Sequence, residues 1–248
     1  MSINDFRQAK RPAKLLLPRF FSEDVLLMEK HLNAGMPKLY LLGGESVYRR
    51  SAKEVNEQAF KDAGSNPSVL VFPWARPSFD KKYRRRQLLT DYLQSLGACE
   101  VDFVEYSEPK EAVAEKLDRS AMVYLTGGQP SILIERLETS GVDELLKIFK
   151  GVVVGRSAGA LALCRRCIAT CRSNGKVRIV EGLGLVDITL KVHYIPENDE
   201  ILERFSLKET IFAVPEGAAL VYDQGKLSAI GKAYIFTHGA RRFFNEIL

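Results

Sequence analysis

One stretch constrains this chain more than any other. Residues 152–161 read Val-Val-Val-Gly-Arg-Ser-Ala-Gly-Ala-Leu: a short apolar strand, a Gly-X-Ser-X-Gly turn, then a helix-forming run. That order is the nucleophile-elbow arrangement, in which a sharp strand-to-helix turn lifts a serine out of the sheet edge. Gly155 and Gly159 remove side chains where backbones crowd. The new helix start turns backbone N–H groups toward Ser157. The plainer reading of the same residues is a glycine-rich turn that serves only packing.

The surroundings favour the elbow. Short strand-forming runs, mostly apolar, at residues 38–42, 68–72, 101–105, 122–125 and 152–154 alternate with helical patterns at 51–63, 80–96, 108–117, 131–139 and 142–149. Such alternation predicts βα units and a mostly parallel sheet with helices on both faces, a three-layer α/β fold. After Arg172 the pattern becomes short strands at 177–180, 186–192, 210–214, 219–222, 227–230 and 234–236. These extra C-terminal strands are expected to complete one sheet. Residues 1–36 precede the first strand and read as an appended segment with one helix near 23–33. Residues 37–248 are then expected to form the one α/β domain that carries the elbow.

A hydroxyl nucleophile needs a base, and the chain has 3 histidines. His31 lies in the appended segment. His193 ends the apolar run 186–192, where open α/β sheets place their sites. His238 sits in Thr237-His238-Gly239, where an α/β-hydrolase esterase would keep its base. The base needs an orienting acid. Asp187 shares strand parity with His193, but six residues of strand span about 20 Å. Glu216, in Val214-Pro215-Glu216-Gly217, is held by a rigid turn. Oxyanion donors are expected from the Ala158 N–H and from the turn Gly127-Gly128-Gln129.

Together these segments resemble the peptidase E (aspartyl dipeptidase)/cyanophycinase serine peptidases. The likeness rests on Gly127-Gly128-Gln129 before a helix, Gly155-Arg156-Ser157-Ala158-Gly159-Ala160, Gly182-Leu183-Gly184-Leu185 leading to His193-Tyr194, and Pro215-Glu216-Gly217-Ala218-Ala219-Leu220. It spans residues 38–236. The resemblance implies a class I glutamine amidotransferase-like fold and a Ser157–His193–Glu216 triad acting on short peptides through an acyl-enzyme. It also implies an oxyanion hole from Gly128 and Ala158, with substrate contacts from Gly127, Gln129 and Arg156. No metal or cofactor is called for.

The chain also departs from that pattern. Arg156 stands where the family usually has Trp. The basic residues that follow the family's histidine are replaced by Tyr194-Ile195-Pro196-Glu197-Asn198-Asp199-Glu200. Strict preference for an N-terminal Asp is therefore expected to weaken unless Arg156 or Arg204 compensates. One of the acidic residues could instead read a free α-amino group. A protein that keeps this fold for binding alone remains an alternative.

Composition excludes other classes. Hydrophobic residues are 46% and charged residues 27%, ordinary for a globular chain. No run approaches the ~18 apolar residues of a membrane span, and residues 1–17 lack the long apolar core of a secretory signal. Four Cys are too few for a disulfide scaffold, so a reducing cytoplasm is expected. Cys164, Cys167 and Cys171 are spaced to share one face of a helix after Ser157, where they would serve packing more readily than a metal. The basic run at residues 81–86 reads as a solvated helix face or a basic rim that attracts acidic peptides, rather than a nucleic-acid site. A small peptide is the expected partner, with neither nucleic acid nor membrane, and a homodimer is compatible with this reading.

Overall fold

The computed structural model describes residues 35–76, 84–170 and 177–244. Residues 1–34 of the appended segment, His31 among them, Cys171 and residues 81–83 of the basic run therefore lie outside the described residues. In chain order the elements are β1 (Lys38–Leu42), α1 (Lys53–Ala63), β2 (Ser68–Phe72), α2 (Arg84–Ser95), β3 (Glu100–Phe103), α3 (Lys110–Asp118) and β4 (Met122–Leu125). Next come α4 (Pro130–Ser140), α5 (Val142–Lys147), β5 (Val152–Arg156), α6 (Ala158–Leu163), β6 (Cys164–Thr170), β7 (Val177–Glu181) and β8 (Val186–Val192). A 3₁₀ turn (Pro196–Asn198) leads to α7 (Asp199–Ser206), β9 (Ile211–Val214), β10 (Ala219–Asp223), β11 (Lys226–Ile230), β12 (Tyr234–Thr237) and β13 (Ala240–Phe243).

The first sheet runs β11-β10-β1-β5-β4-β2-β3. The five strands from β1 to β3 are parallel, and β10 and β11 extend the β1 edge antiparallel. β4 and most of β5 are buried on both faces, which is why they read as unbroken apolar runs. Alternation along the strands sorts the two cores. Leu39, Leu41, Val123, Leu125 and Val153 face one side with α6. Tyr40, Leu42, Tyr124, Val152 and Val154 face the other, with Val55 and Phe60 of α1 and Leu93 of α2.

The C-terminal strands depart from expectation. Only β10 and β11 complete the first sheet. The rest join β6 in a second, six-stranded sheet in the order β13-β12-β9-β8-β6-β7. The physical reason is that these strands have two faces to bury. Leu190, Val192, Phe212 and Val214 join the core beneath α6. Ile168, Ile211, Ala213 and Phe236 build a separate small core with Tyr194 and Leu202.

The helix after Ser157 is also shorter than expected. It ends at Leu163, and Cys164–Thr170 is strand. Cys164 and Cys167 are buried, and their thiols donate to the Ala160 and Val180 carbonyls. They line no helix face, and among the described residues no group of three or more His, Cys, Asp or Glu side chains could hold a metal ion. Nor is any described helix long and apolar enough to cross a membrane.

Candidate active site

Ser157 occupies the junction of β5 and α6 with φ 53° and ψ −102°. A non-glycine residue holds such angles only where its surroundings impose them. Two contacts do so. The Ser157 N–H donates to the Leu42 carbonyl at 3.0 Å, and α6 turns back tightly against β4. A Cβ at Gly159 would stand 2.5 Å from the Leu125 carbonyl oxygen, so only glycine permits that approach.

The Ser157 hydroxyl donates to His193 Nε2 at 2.7 Å. On the far side of the ring, His193 Nδ1 donates to Glu216 Oε1 at 3.0 Å. His193 follows β8 with φ 51°, a left-handed turn that takes its ring out of the strand's alternation. Glu216 lies in the turn between β9 and β10. Its side chain is 61% exposed, so its carboxylate is largely solvated.

Three consecutive carbonyls at the end of β1 hold this arrangement. Leu42 accepts from Ser157 N–H, Gly43 from His193 N–H at 2.8 Å, and Gly44 from Gly217 N–H at 2.9 Å. Gly44 also presses directly on the site. A Cβ there would stand 2.5 Å from His193 Cε1, 2.6 Å from its Nδ1 and 2.9 Å from Glu216 Cγ. Reasoning from sequence saw Gly43-Gly44 only as the end of a strand. The available signal was a glycine pair at the C-terminal end of a central parallel strand, where open α/β sheets build sites.

Beside the glycine pair stands a polar network that sequence reasoning also missed. Glu45 accepts from Asn56 Nδ2 at 2.9 Å and from the Tyr124 hydroxyl at 2.9 Å, while Asn56 Nδ2 also reaches the Tyr92 hydroxyl at 3.0 Å. Burial, reinforced by the Glu45 carboxylate, pushes the Tyr124 hydroxyl well above its ordinary range, so it stays a neutral donor.

The other candidates divide clearly. The Gly128 and Ala158 N–H groups donate to no backbone carbonyl among the described residues, whereas Gln129 N–H is committed to Ala75 O at 2.7 Å. Gly127 is buried beside Arg156, and Gln129 is exposed. His238 is not brought to Ser157. It lies in the turn between β12 and β13, with Nδ1 at 3.1 Å from Thr237 Oγ1. Asp187 pairs with Arg165, and Arg204 is exposed on α7.

The acidic segment after His193 is less repulsive than its sequence suggests. Asp199 accepts from Tyr194 Oη and from Arg241 Nη1, both at 2.6 Å. Burial and the Asp199 carboxylate push the Tyr194 hydroxyl up to about 12. Arg241 comes from β13, too far along the chain for any local pattern to pair it with Asp199.

The geometry is that of a serine hydrolase: a hydroxyl on a strained turn, an imidazole in contact with it, and a carboxylate behind the imidazole. Comparison with known proteins agrees. The profile of peptidase family S51 matches residues 39–230. The fold is similar to that of a peptidase from an acI-B1 Actinobacterium, with 21% identity and a TM-score of 0.67 over 87% of this chain and 97% of that one. It is also similar to a Listeria monocytogenes EGD-e protein described as a peptidase E, with 20% identity and a TM-score of 0.61 over 79% of this chain and 98% of that one. At such identities the likeness to solved structures is one of fold. A search of curated proteins gave no match. The family match covers the strand, the elbow and the loops that carry all three polar residues, and the chain belongs to peptidase family S51, as a serine-type peptidase.

Proposed function

We propose that this serine peptidase cleaves short peptides, as a dipeptidase or exopeptidase, with Ser157 as nucleophile, His193 as base and Glu216 as the orienting acid. The observation that carries the reading is the unbroken chain Ser157–His193–Glu216, at 2.7 and 3.0 Å. Ser157 Oγ attacks the scissile carbonyl while His193 Nε2 takes its proton. Negative charge on the carbonyl oxygen is met by the N–H groups of Gly128 and Ala158. His193 then protonates the departing amine, the C–N bond breaks, and an ester to Ser157 remains. Water, deprotonated by the same imidazole, releases the acid and restores the hydroxyl. Glu216 holds the imidazole in the tautomer with Nε2 bare and stabilises the cation formed during transfer.

The free α-amino group of a short substrate fits the acidic segment after His193. With Asp199 engaged by Arg241, Glu197 and Glu200 are the exposed carboxylates left for it. The test is hydrolysis of a dipeptide library by the wild type and by Ser157→Ala. Loss of the nucleophile is expected to lower kcat by on the order of 10⁴–10⁶ with the fold retained. Retention of a tenth of wild-type turnover would remove Ser157 from this role.

A further inference from the structure

α4 begins directly after the turn Gly127-Gly128-Gln129, and Arg136, on its second turn, reaches back to the loop that follows β2. One nitrogen, Nη1, donates to two carbonyls of that loop, Trp74 O at 3.0 Å and Arg76 O at 2.7 Å. The guanidinium carbon also lies 5.1 Å from the centre of the Tyr106 ring, which packs edge-on to the Trp74 indole at 5.3 Å. Trp74 is buried, and its Nε1 donates to the Val104 carbonyl at 2.9 Å. The packing of α4 has no need of a guanidinium, since Leu133, Ile134 and Leu137 supply its buried face.

The carbonyl between those two, that of Ala75, serves the turn after β4. Ala75 O accepts the Gln129 N–H at 2.7 Å. A Cβ at Gly128 would stand 2.2 Å from Ala75 O and 2.8 Å from its carbonyl carbon, so Gly128 lies directly on this peptide. Earlier in both loops, Thr126 donates to the Phe72 carbonyl from its N–H at 3.2 Å and its hydroxyl at 3.1 Å. The turn is therefore seated on the β2 loop at both ends, Thr126 and Gln129. Between those anchors the Gly128 N–H has no backbone acceptor among the described residues. The same turn meets the nucleophile's strand. A Cβ at Gly127 would stand 3.5 Å from the Arg156 carbonyl oxygen, on the peptide that leads into Ser157.

A loop outside any helix or ladder holds its peptide planes only as firmly as its hydrogen bonds fix them, and bonds from a charged donor are the stronger kind. With the carbonyls on either side of Ala75 held by one cation, the Ala75 carbonyl keeps a single direction, and Gly128 rests on it. We propose that Arg136 is a positioning residue for the oxyanion hole. By holding the Trp74 and Arg76 carbonyls it fixes the Ala75 peptide, and through that peptide the aim of the Gly128 N–H at the carbonyl oxygen of the cleaved bond. Arg136 touches neither substrate nor triad and acts only through the two loops. This inference rests on the peptidase reading above, with Gly128 as an oxyanion donor.

The experiment measures fluorophosphonate labelling of Ser157 in the wild type, Arg136→Met and Arg136→Lys. The maximal rate, kinact, is separated from the reagent's KI, and the rate is followed across pH. In this reaction Ser157 Oγ bonds to phosphorus, fluoride leaves, His193 takes the hydroxyl proton, and the P=O oxygen stands where the carbonyl oxygen of a peptide would. Loss of an oxyanion donor costs about 10²–10³ in rate, so a donor left in place but misaimed in Arg136→Met is expected to lower kinact about 10–100-fold, with KI within about 3-fold. The pH midpoint of labelling is expected to stay in place, because the Ser157–His193 contact is untouched. Arg136→Lys keeps a charged nitrogen that can meet the carbonyls and loses the planar fork, so its kinact is expected to fall only about 3–10-fold. A cooperatively folded Arg136→Met that keeps kinact within about 3-fold of wild type would overturn the assignment. So would a loss carried by KI, a shifted pH midpoint, or Arg136→Lys no faster than Arg136→Met. If Arg136→Met fails to fold, Arg136→Lys decides, and a fall in its kinact of less than about 3-fold overturns the assignment. Absence of labelling in the wild type would instead overturn the peptidase reading itself.

Discussion

Gly44→Ala offers a severe test of how the site is held, because it adds one methyl and removes no catalytic atom. That methyl would lie 2.5 Å from His193 Cε1 and 2.6 Å from Nδ1. Ordinary contact is about 3.5–4.0 Å, so the ring must retreat by roughly 1 Å. The backbone has little room to move instead, since the Gly43 and Gly44 carbonyls hold the His193 and Gly217 N–H groups at 2.8 and 2.9 Å. A retreat of that size takes His193 Nε2 out of its 2.7 Å contact with Ser157. Misplacement on the order of 1 Å costs about 10²-fold in rate. Steady-state hydrolysis of a cleaved dipeptide is the assay, with the rate of fluorophosphonate labelling as a reading independent of substrate binding. Gly35→Ala is the matched control, because nothing lies within 4 Å of its added methyl. Both rates should fall about 100-fold in Gly44→Ala while thermal unfolding stays cooperative. A variant that keeps more than about a third of wild-type kcat/KM would refute the claim that Gly44 fixes the imidazole.

Lys191 is buried in β8, its Nζ bonded to the Val192 carbonyl at 2.8 Å, and burial lowers its pKa to about 8 from an ordinary 10.5. The unfolded chain therefore holds the proton more tightly, a penalty of about 3 kcal/mol that is complete below pH 8 and disappears as pH rises toward 10.5. Lys191→Met should stabilise the protein by up to about that amount at pH 7, and the gain should shrink across pH 8–10.5 in denaturant titrations; a gain independent of pH would contradict the burial argument. Glu216→Gln should lower kcat by only about 10–100-fold, well short of the ~10⁴ seen when a buried triad acid is neutralised, because Glu216 is 61% exposed. A loss equal to that of Ser157→Ala would show that the carboxylate does more than orient the ring.

Much of this architecture was legible in local sequence. The central parallel strands announce themselves as short apolar runs because both of their faces are covered, and the elbow is local by nature. What escaped depends on contacts distant in the chain. The helix after Ser157 should continue through the three spaced cysteines on pattern alone. It stops because the segment 182–184 caps it. Leu183 N–H donates to the Ala162 carbonyl in the helix's last turn at 2.8 Å, and Gly182 N–H to the Arg165 carbonyl of β6, just beyond the helix end, at 2.9 Å. Gly182 has no room for a Cβ, which would stand 2.1 Å from the Cys164 carbonyl oxygen. The second sheet was hidden for a similar reason, since no local pattern distinguishes a strand that extends one sheet from a strand that founds another. At the site, strand-end and turn chemistry offered His193 and Glu216 as candidates, and the resemblance to peptidase E chose His193 over His238. The Gly43-Gly44 clamp, the Glu45 network and the Arg241–Asp199 pair needed three-dimensional placement.

The central claim is that Ser157 is a nucleophile activated by His193. It is tested most directly by fluorophosphonate labelling followed by mass spectrometric mapping in the wild type, His193→Ala and His238→Ala. The account predicts a single adduct on the peptide containing Ser157. Labelling should slow by at least about 10³-fold in His193→Ala and proceed at close to the wild-type rate in His238→Ala. No adduct, an adduct on another residue, or slowing in His238→Ala with His193→Ala unaffected would contradict it.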